Sequence, residues 1–277
     1  MLDRQPDVDV VVSSNGSQDG TNEFLLALPK RDRFRVVIQP HNLGPNIHIG
    51  WLYGQGTGRF SWLFGDDDLF DPEMVPRLLQ VLRERPDLSW IHLPHVFVKA
   101  SGEESVVSEM PPEDLYVNDA RALYARYAQW FTFISSNIYA RSSLLSALPK
   151  MTLTSPYWPW SLAIYCSIGK PAAVLSGKWV KAGPEITWRD SAFEVGSITL
   201  IREVYSHPRL SRRERCACVE SLLAFNPQKL DRALLLAPGY MCKLLVRHPS
   251  LARYLLSPRW LIKLGRRAIG ARRSNPS

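Results

Sequence analysis

The sequence predicts an α/β fold: a mainly parallel sheet flanked by helices, followed by a helical C-terminal region. Two observations carry the first part. Short β-branched or aromatic runs alternate with helix-like segments through the first half, and polar or acidic clusters sit at the ends of those runs. Parallel strands need long crossovers, which such alternation supplies, and ligands collect at the carboxyl ends of such strands. The third observation is the helical pattern from Ser191 onward, interrupted by Pro208, Pro227, Pro238 and Pro258.

Val8 to Val12 is the first strand-like run, and the polar turn Ser13 to Gly20 leads into a short helix at Thr21 to Leu28. Phe34 to Ile38 is a second strand, and Asn46 to Tyr53 a helix ahead of a glycine-rich link. Phe60 to Phe64 is a third strand, ending at Gly65-Asp66-Asp67-Asp68. A helix over Pro72 to Arg83 precedes a long strand, Leu88 to Phe97. Gly102 to Glu109 reads as an exposed hairpin, Asn118 to Gln129 as a helix, and Trp130 to Tyr139 as a strand or extended element. An aromatic segment, Ser155 to Trp160, opens a helix ending near Gly169, and Ala172 to Trp179 is a further strand. Period-2 and period-3.6 patterning with Gly and Pro punctuation sets these assignments.

A chain of 277 residues suits one large domain, or one domain with a helical appendage; the division expected is 1–205 and 206–277. No apolar run approaches a membrane span, and the first residues carry no signal-peptide pattern, so a cytoplasmic protein is expected. Cys166, Cys216, Cys218 and Cys242 lack zinc-type spacing and read as reduced and mostly buried. Net charge is +8, and the excess is uneven. No acidic residue follows Asp231, whereas Lys243, Arg247, Arg253, Arg259, Lys263, Arg266, Arg267, Arg272 and Arg273 do. Mixed with Leu, Ile and Trp260, residues 243–273 read either as an interfacial helix on an anionic inner membrane face or as an amphipathic helix packed on the domain with a basic end. No recognised module supports nucleic-acid binding.

Asp66, Asp67 and Asp68 are the main chemical signal. Three adjacent carboxylates repel one another unless a cation neutralises them, yet an acidic turn before Pro72 is equally what a helix start requires. Context separates the two readings. Asn15-Gly-Ser-Gln-Asp-Gly-Thr21, Asn42-Leu-Gly-Pro-Asn46 and Trp62-Leu-Phe-Gly-Asp-Asp-Asp68 resemble, in order and spacing, the motifs of family 2 nucleotide-sugar glycosyltransferases of GT-A fold. The resemblance is good over Val8 to Leu82 and weaker to about Tyr205, where Phe133-Ile-Ser-Ser-Asn-Ile-Tyr139 is similar to the abequosyltransferase-like branch.

That resemblance implies inverting transfer of a sugar from a nucleotide-diphosphate donor to a hydroxyl of a glycolipid or polysaccharide. It implies Mn²⁺ or Mg²⁺ held by Asp66 and Asp68, with Asp67 near the ribose or donor sugar. Ser14, Asn15, Ser17, Asp19 and Asn46 complete the implied nucleotide-sugar set. Three departures accompany it. The chain begins just ahead of what would be the family's second strand; Ser14 stands where the family often has a nucleobase-binding Asp; and Tyr157 to Trp160 lacks the family's usual carboxylate base. Asp190 and Glu194 are the substitutes nearest in sequence. A silent remnant of the fold and a basic interaction protein are the rival readings. Trp158, Trp160, Trp179 and Trp188 read as core or as a sugar-stacking platform. His92 and His95, three apart on one expected strand, are expected to point to opposite faces.

Overall fold

A computed structural model describes residues 5–98, 101–106, 110–155, 157–182, 200–201, 203–225 and 246. The chain divides into two compact units, Met1–Thr187 and Trp188–Ser277. In the first, the strands are β1 Val10–Ser14, β2 Phe34–Ile38, β3 Phe60–Trp62, β4 Leu69–Phe70, β5 Trp90–His92, β6 His95–Val98, β7 Glu104–Val106, β8 Leu115–Val117, β9 Asn137–Ala140, β10 Ala172–Val174 and β11 Val180–Ala182. The helices are α1 Thr21–Ala27, α2 Pro45–Tyr53, α3 Met74–Glu84, α4 Arg121–Tyr127, α5 Arg141–Ala147 and α6 Trp158–Ser167.

The α/β class is as the sequence predicts, but the pairing is mixed rather than mainly parallel. β1–β2, β5–β10 and β6–β11 are parallel. β3–β9, β5–β9, β8–β10, β4–β11 and β6–β7 are antiparallel. Two of the antiparallel pairs come from β9, which lies between β3 and β5 in the order β3-β9-β5-β10-β8 and runs against both; β8 adds a third at the other edge of the same sheet. A short 3₁₀ turn, Ile134–Ser136, delivers β9 in its direction. β1 and β2 form a separate two-stranded sheet, and β4-β11-β6-β7 a third.

The central strands show why the sequence alternates as it does. Ile91, Ile138 and Ala173 stand in register on one face of β5, β9 and β10. They pack with Met74, Leu78, Val81 and Leu82 of α3, whose spacing makes one apolar stripe. The opposite face carries Trp90, His92, Asn137 and Tyr139. There Phe131 packs edge-on against Trp90 and Tyr124, and Tyr53 against Tyr139 and Trp158. Both layers are sealed: β5 and β10 are buried throughout. By contrast, the apolar residues of β1, β2 and β3 are only half-buried.

The long strand expected over Leu88 to Phe97 is broken at Leu93-Pro94 into β5 and β6, which join different sheets. Proline has no N–H for a ladder, so a central strand cannot continue through it. α5, absent from the sequence-level assignment, occupies Arg141–Ala147.

In the second unit, α7 (Arg212–Phe225) begins with a reciprocal cap. The Ser211 amide donates to Glu214 Oε2 (2.6 Å) and the Glu214 amide to Ser211 Oγ (3.3 Å). Leu210, Cys218, Val219 and Leu222 are buried. Residues 243–273, apart from exposed Val246, lie outside the described residues, as do Asp190 and Glu194.

Candidate functional site

Two loops follow strand ends, as the sequence implies. The first leaves β1 at Ser14, which is buried. Its hydroxyl accepts the Ser17 amide (3.3 Å), tightening the turn. Asn15 ties this loop to the one before α2: its Nδ2 donates to Asn42 Oδ1 (3.0 Å) and its Oδ1 accepts the Leu43 amide (3.0 Å). Asn42 Oδ1 also accepts the Gly44 amide (2.7 Å). Gly16 makes that approach possible. Its φ is 73°, and a Cβ there would lie 2.7 Å from the His41 carbonyl carbon and 2.8 Å from the Asn42 nitrogen, both backbone.

Asp19 accepts the Thr21 hydroxyl (2.6 Å) and amide (3.1 Å), and those hydrogen bonds hold its carboxyl below the usual range. Asn22 Nδ2 donates to the Ser17 carbonyl (2.7 Å). Asn46, in the first turn of α2, reaches the Ser155 carbonyl at 3.5 Å, and so faces the segment that opens α6. Of the expected nucleotide-loop residues, Ser14 bonds Ser17 and Asn15 ties its loop to the one before α2, whereas Asp19 bonds Thr21 and Asn46 reaches toward α6. Sequence reasoning missed His48: its Nε2 lies 2.8 Å from Ser13 Oγ and its ring stacks on Trp51. A histidine in the middle of the largely apolar helix Pro45–Tyr53 was the available signal.

The second loop is the acidic turn after β3, closed by the Asp68 amide on the Gly65 carbonyl (3.4 Å). Asp66 and Asp67 are exposed and Asp68 half-buried. A Cβ built on Gly65 would meet Asp67 Oδ1 at 2.9 Å, Asp68 Oδ2 at 3.1 Å and Ser135 Oγ at 3.5 Å. Two carboxylate oxygens thus close on one point above Gly65, and the missing side chain leaves it open. Just ahead of α3, which begins at Met74 without a side-chain cap, Asp71 Oδ1 accepts the Glu73 amide (3.0 Å).

Beneath the turn lies a buried polar network. Ser135 Oγ accepts the Gly65 amide (2.9 Å) and its carbonyl accepts Trp62 Nε1 (2.8 Å). Asn137 Oδ1 accepts Trp90 Nε1 (2.8 Å), and its Nδ2 donates to the Phe133 and Trp130 carbonyls (2.7 and 3.2 Å). Ser136 Oγ lies 3.0 Å from His95 Nδ1. Because Pro94 separates β5 from β6, the His92 and His95 rings approach to 6.4 Å, contrary to the opposite-face expectation. Burial pushes His92 down to about 4, and burial then His92 push His95 well below the ordinary histidine value. Both are neutral core residues.

Trp158 and Trp160 are fully buried and belong to the core; Trp179 is half-buried, its indole beneath the Arg77 guanidinium. Trp188 lies outside the described residues. Burial raises the Cys166 thiol to about 12, so it is inert, and Cys166, Cys216 and Cys218 are unbridged. No described helix is long and apolar enough to cross a membrane.

An α/β fold with a polar loop and an acidic turn after its strands is GT-A-like in architecture. Similar solved structures share the fold. S. aureus TarS residues 1–349 superimposes with a TM-score of 0.57 at 16% identity, over 84% of this chain and 64% of that one. The same protein with UDP-GlcNAc gives 0.58 at 16% identity, over 82% and 71%. At that identity the likeness concerns the fold. Abequosyltransferase RfbV of Salmonella typhimurium strain LT2 is 26% identical over 84 residues, which is 30% of this chain and 25% of that protein, so the match spans a quarter of the relative's length. The family described as "Glycosyl transferase family 2" matches residues 2–145, and the chain belongs to it.

Proposed function

We propose that the chain is an inverting, metal-assisted glycosyltransferase that moves a sugar from a nucleotide-diphosphate donor to a hydroxyl of a glycolipid or polysaccharide. The observation that carries the reading is the convergence of Asp67 Oδ1 and Asp68 Oδ2 above Gly65 at a strand end. Family membership, a relative named as an abequosyltransferase and a structural neighbour solved with UDP-GlcNAc support it.

Mn²⁺ or Mg²⁺ fits this donor set. Carboxylate oxygens are the ligands such hard cations take, and the space over Gly65 is one a side chain would have filled. Among the described residues no three His, Cys, Asp or Glu side chains form a cage, so phosphate oxygens and water would complete the coordination. Asp66 and Asp68, the pair implied by family likeness, would hold the ion, with Asp67 added by geometry or turned to the ribose or sugar. When bound, the ion supplies Lewis-acid stabilisation of charge on the departing diphosphate.

The rest falls to the chain's own groups. The Asn15–Asn42 tie and the Asp19–Thr21 turn hold the loop on which Ser14 and Ser17 meet the nucleotide, with Asn46 adding to them from the first turn of α2. Asp190 or Glu194 takes the acceptor hydroxyl's proton as its oxygen bonds to the anomeric carbon opposite the leaving diphosphate, which inverts that centre. The basic residues 243–273 serve a lipid-linked acceptor by resting on the anionic inner face of the membrane.

Calorimetric titration with UDP-, GDP-, dTDP- and CDP-sugars, with and without Mn²⁺, tests the reading. Metal-dependent binding of one donor is expected, lost in Asp68→Asn. Asp190→Asn or Glu194→Gln should abolish kcat with donor affinity unchanged. Absence of binding to every donor overturns the proposal, and binding without turnover favours a silent remnant.

A further inference from the structure

We infer that Ser135 is a positioning residue: its buried side chain sets the acidic turn so that the Asp67 and Asp68 carboxylates share one point above Gly65. The inference rests on the reading of that turn as the cation and diphosphate site.

The β3–β9 ladder pairs Phe60 with Ala140, Ser61 with Tyr139 and Trp62 with Ile138, and there it stops. Beyond Trp62 the chain turns toward Gly65, and before Asn137 the partner strand curls into the turn Ile134–Ser136. Backbone pairing cannot follow two diverging strands. Ser135 continues it by other means. Its carbonyl accepts the Trp62 indole N–H, and its hydroxyl accepts the amide of Gly65, three residues beyond Trp62. Both ends of the Trp62–Gly65 exit are therefore fixed to one fully buried residue.

The local geometry makes this tie matter for the carboxylates. Ser135 Oγ, Asp67 Oδ1 and Asp68 Oδ2 all stand within 3.5 Å of the same point on Gly65. The Gly65 carbonyl also closes the turn through the Asp68 amide. The Gly65 amide and carbonyl lie in successive peptide units joined at its Cα, so an amide that turns away from Ser135 changes the Gly65 dihedrals and, through them, the carbonyl that holds the Asp68 amide. Without an acceptor at Ser135, the Gly65 amide is half-buried and unpaired, and the turn must rotate to find water. The strand itself does not depend on the hydroxyl. Its ladder and the Trp62 indole bond, which uses the Ser135 carbonyl, survive in an alanine variant. A serine whose role was to hold β9 to β3 would be redundant.

Two readouts test the inference in Ser135→Ala. Amide hydrogen exchange at Gly65 should accelerate about tenfold, the loss of one hydrogen bond of ordinary strength. Mn²⁺ affinity in the presence of UDP or GDP, followed by water-proton relaxation, should weaken by about the same factor, with KM for the donor raised and kcat little changed. Ser135→Cys, close in size but a poor acceptor, should behave like the alanine variant and replaces it if that chain does not fold. Wild-type Gly65 exchange, or faster exchange with unaltered Mn²⁺ affinity, overturns the inference. Failure of the underlying site reading looks different: the unsubstituted protein would then bind no Mn²⁺ with either nucleotide, while Gly65 exchange still reports the tie.

Discussion

Gly65→Ala separates the chemistry of the acidic turn from its stability. The backbone at Gly65 is not left-handed, so alanine is conformationally admissible. The added Cβ would lie 2.9 Å from Asp67 Oδ1 and 3.1 Å from Asp68 Oδ2, whereas ordinary contact begins at 3.4 Å. The two oxygens must therefore retreat by about 0.5 and 0.3 Å, and both are the far ends of side chains on an exposed or half-buried turn, where a small χ adjustment supplies such a shift. Moving them costs the fold little, below about 1 kcal/mol. A cation is less tolerant, because ligand distances hold to about 0.2 Å. The expected outcome is a midpoint of thermal unfolding within a few degrees of the parent, and donor affinity in Mn²⁺ at least about tenfold weaker, or 1.4 kcal/mol. Metal-free nucleotide binding should not change. Calorimetry with and without Mn²⁺, beside a thermal melt, measures all three. Unaltered metal-dependent affinity in a folded variant would refute the argument that the point above Gly65 is where the carboxylates act together.

Acid should destabilise the first unit through its buried histidines. His92 is shifted from 6.5 to about 4 by burial, so between those values the unfolded chain binds the extra proton. Its contribution is complete above pH 6.5, is lost as pH falls toward 4, and amounts to roughly 3 kcal/mol; His95 acts in the same sense. Urea unfolding at pH 7.5 and 5 should show the fall, and a flat profile contradicts neutral burial of this pair. Gly16→Ala, in contrast to the change at Gly65, should cost roughly 3 kcal/mol, since it combines a left-handed φ with contacts to backbone that cannot give. Weakened nucleotide binding with and without Mn²⁺ is expected, and a variant as stable as the parent would show that the two loops do not need their present approach.

The local elements were legible because each rests on short-range pattern. β2 occupies Phe34–Ile38 as the sequence predicts, and α2 and α3 differ from expectation by one or two residues at their starts. The strand-end positions of the Ser13 to Gly20 loop and of Asp66 to Asp68 were legible for the same reason. What was not legible depends on partners distant in sequence. The sequence reading ran one strand through Pro94, and the sheets show instead two strands that join different neighbours and bring His92 and His95 together. Trp158 and Trp160 carry nothing in their spacing that distinguishes a sugar platform from core; burial against Tyr53 and Phe131 decides it.

By itself the sequence determined the α/β class, the order of the polar and acidic clusters and the family, because strand and helix periodicity and motif spacing are properties of neighbouring residues. The tertiary structure alone decided the directions of β8 and β9, and with them the mixed central sheet, and it brought Ser135 beneath a turn seventy residues earlier. Strand order and direction follow from which faces can be buried together, a constraint that no local stretch of chain contains.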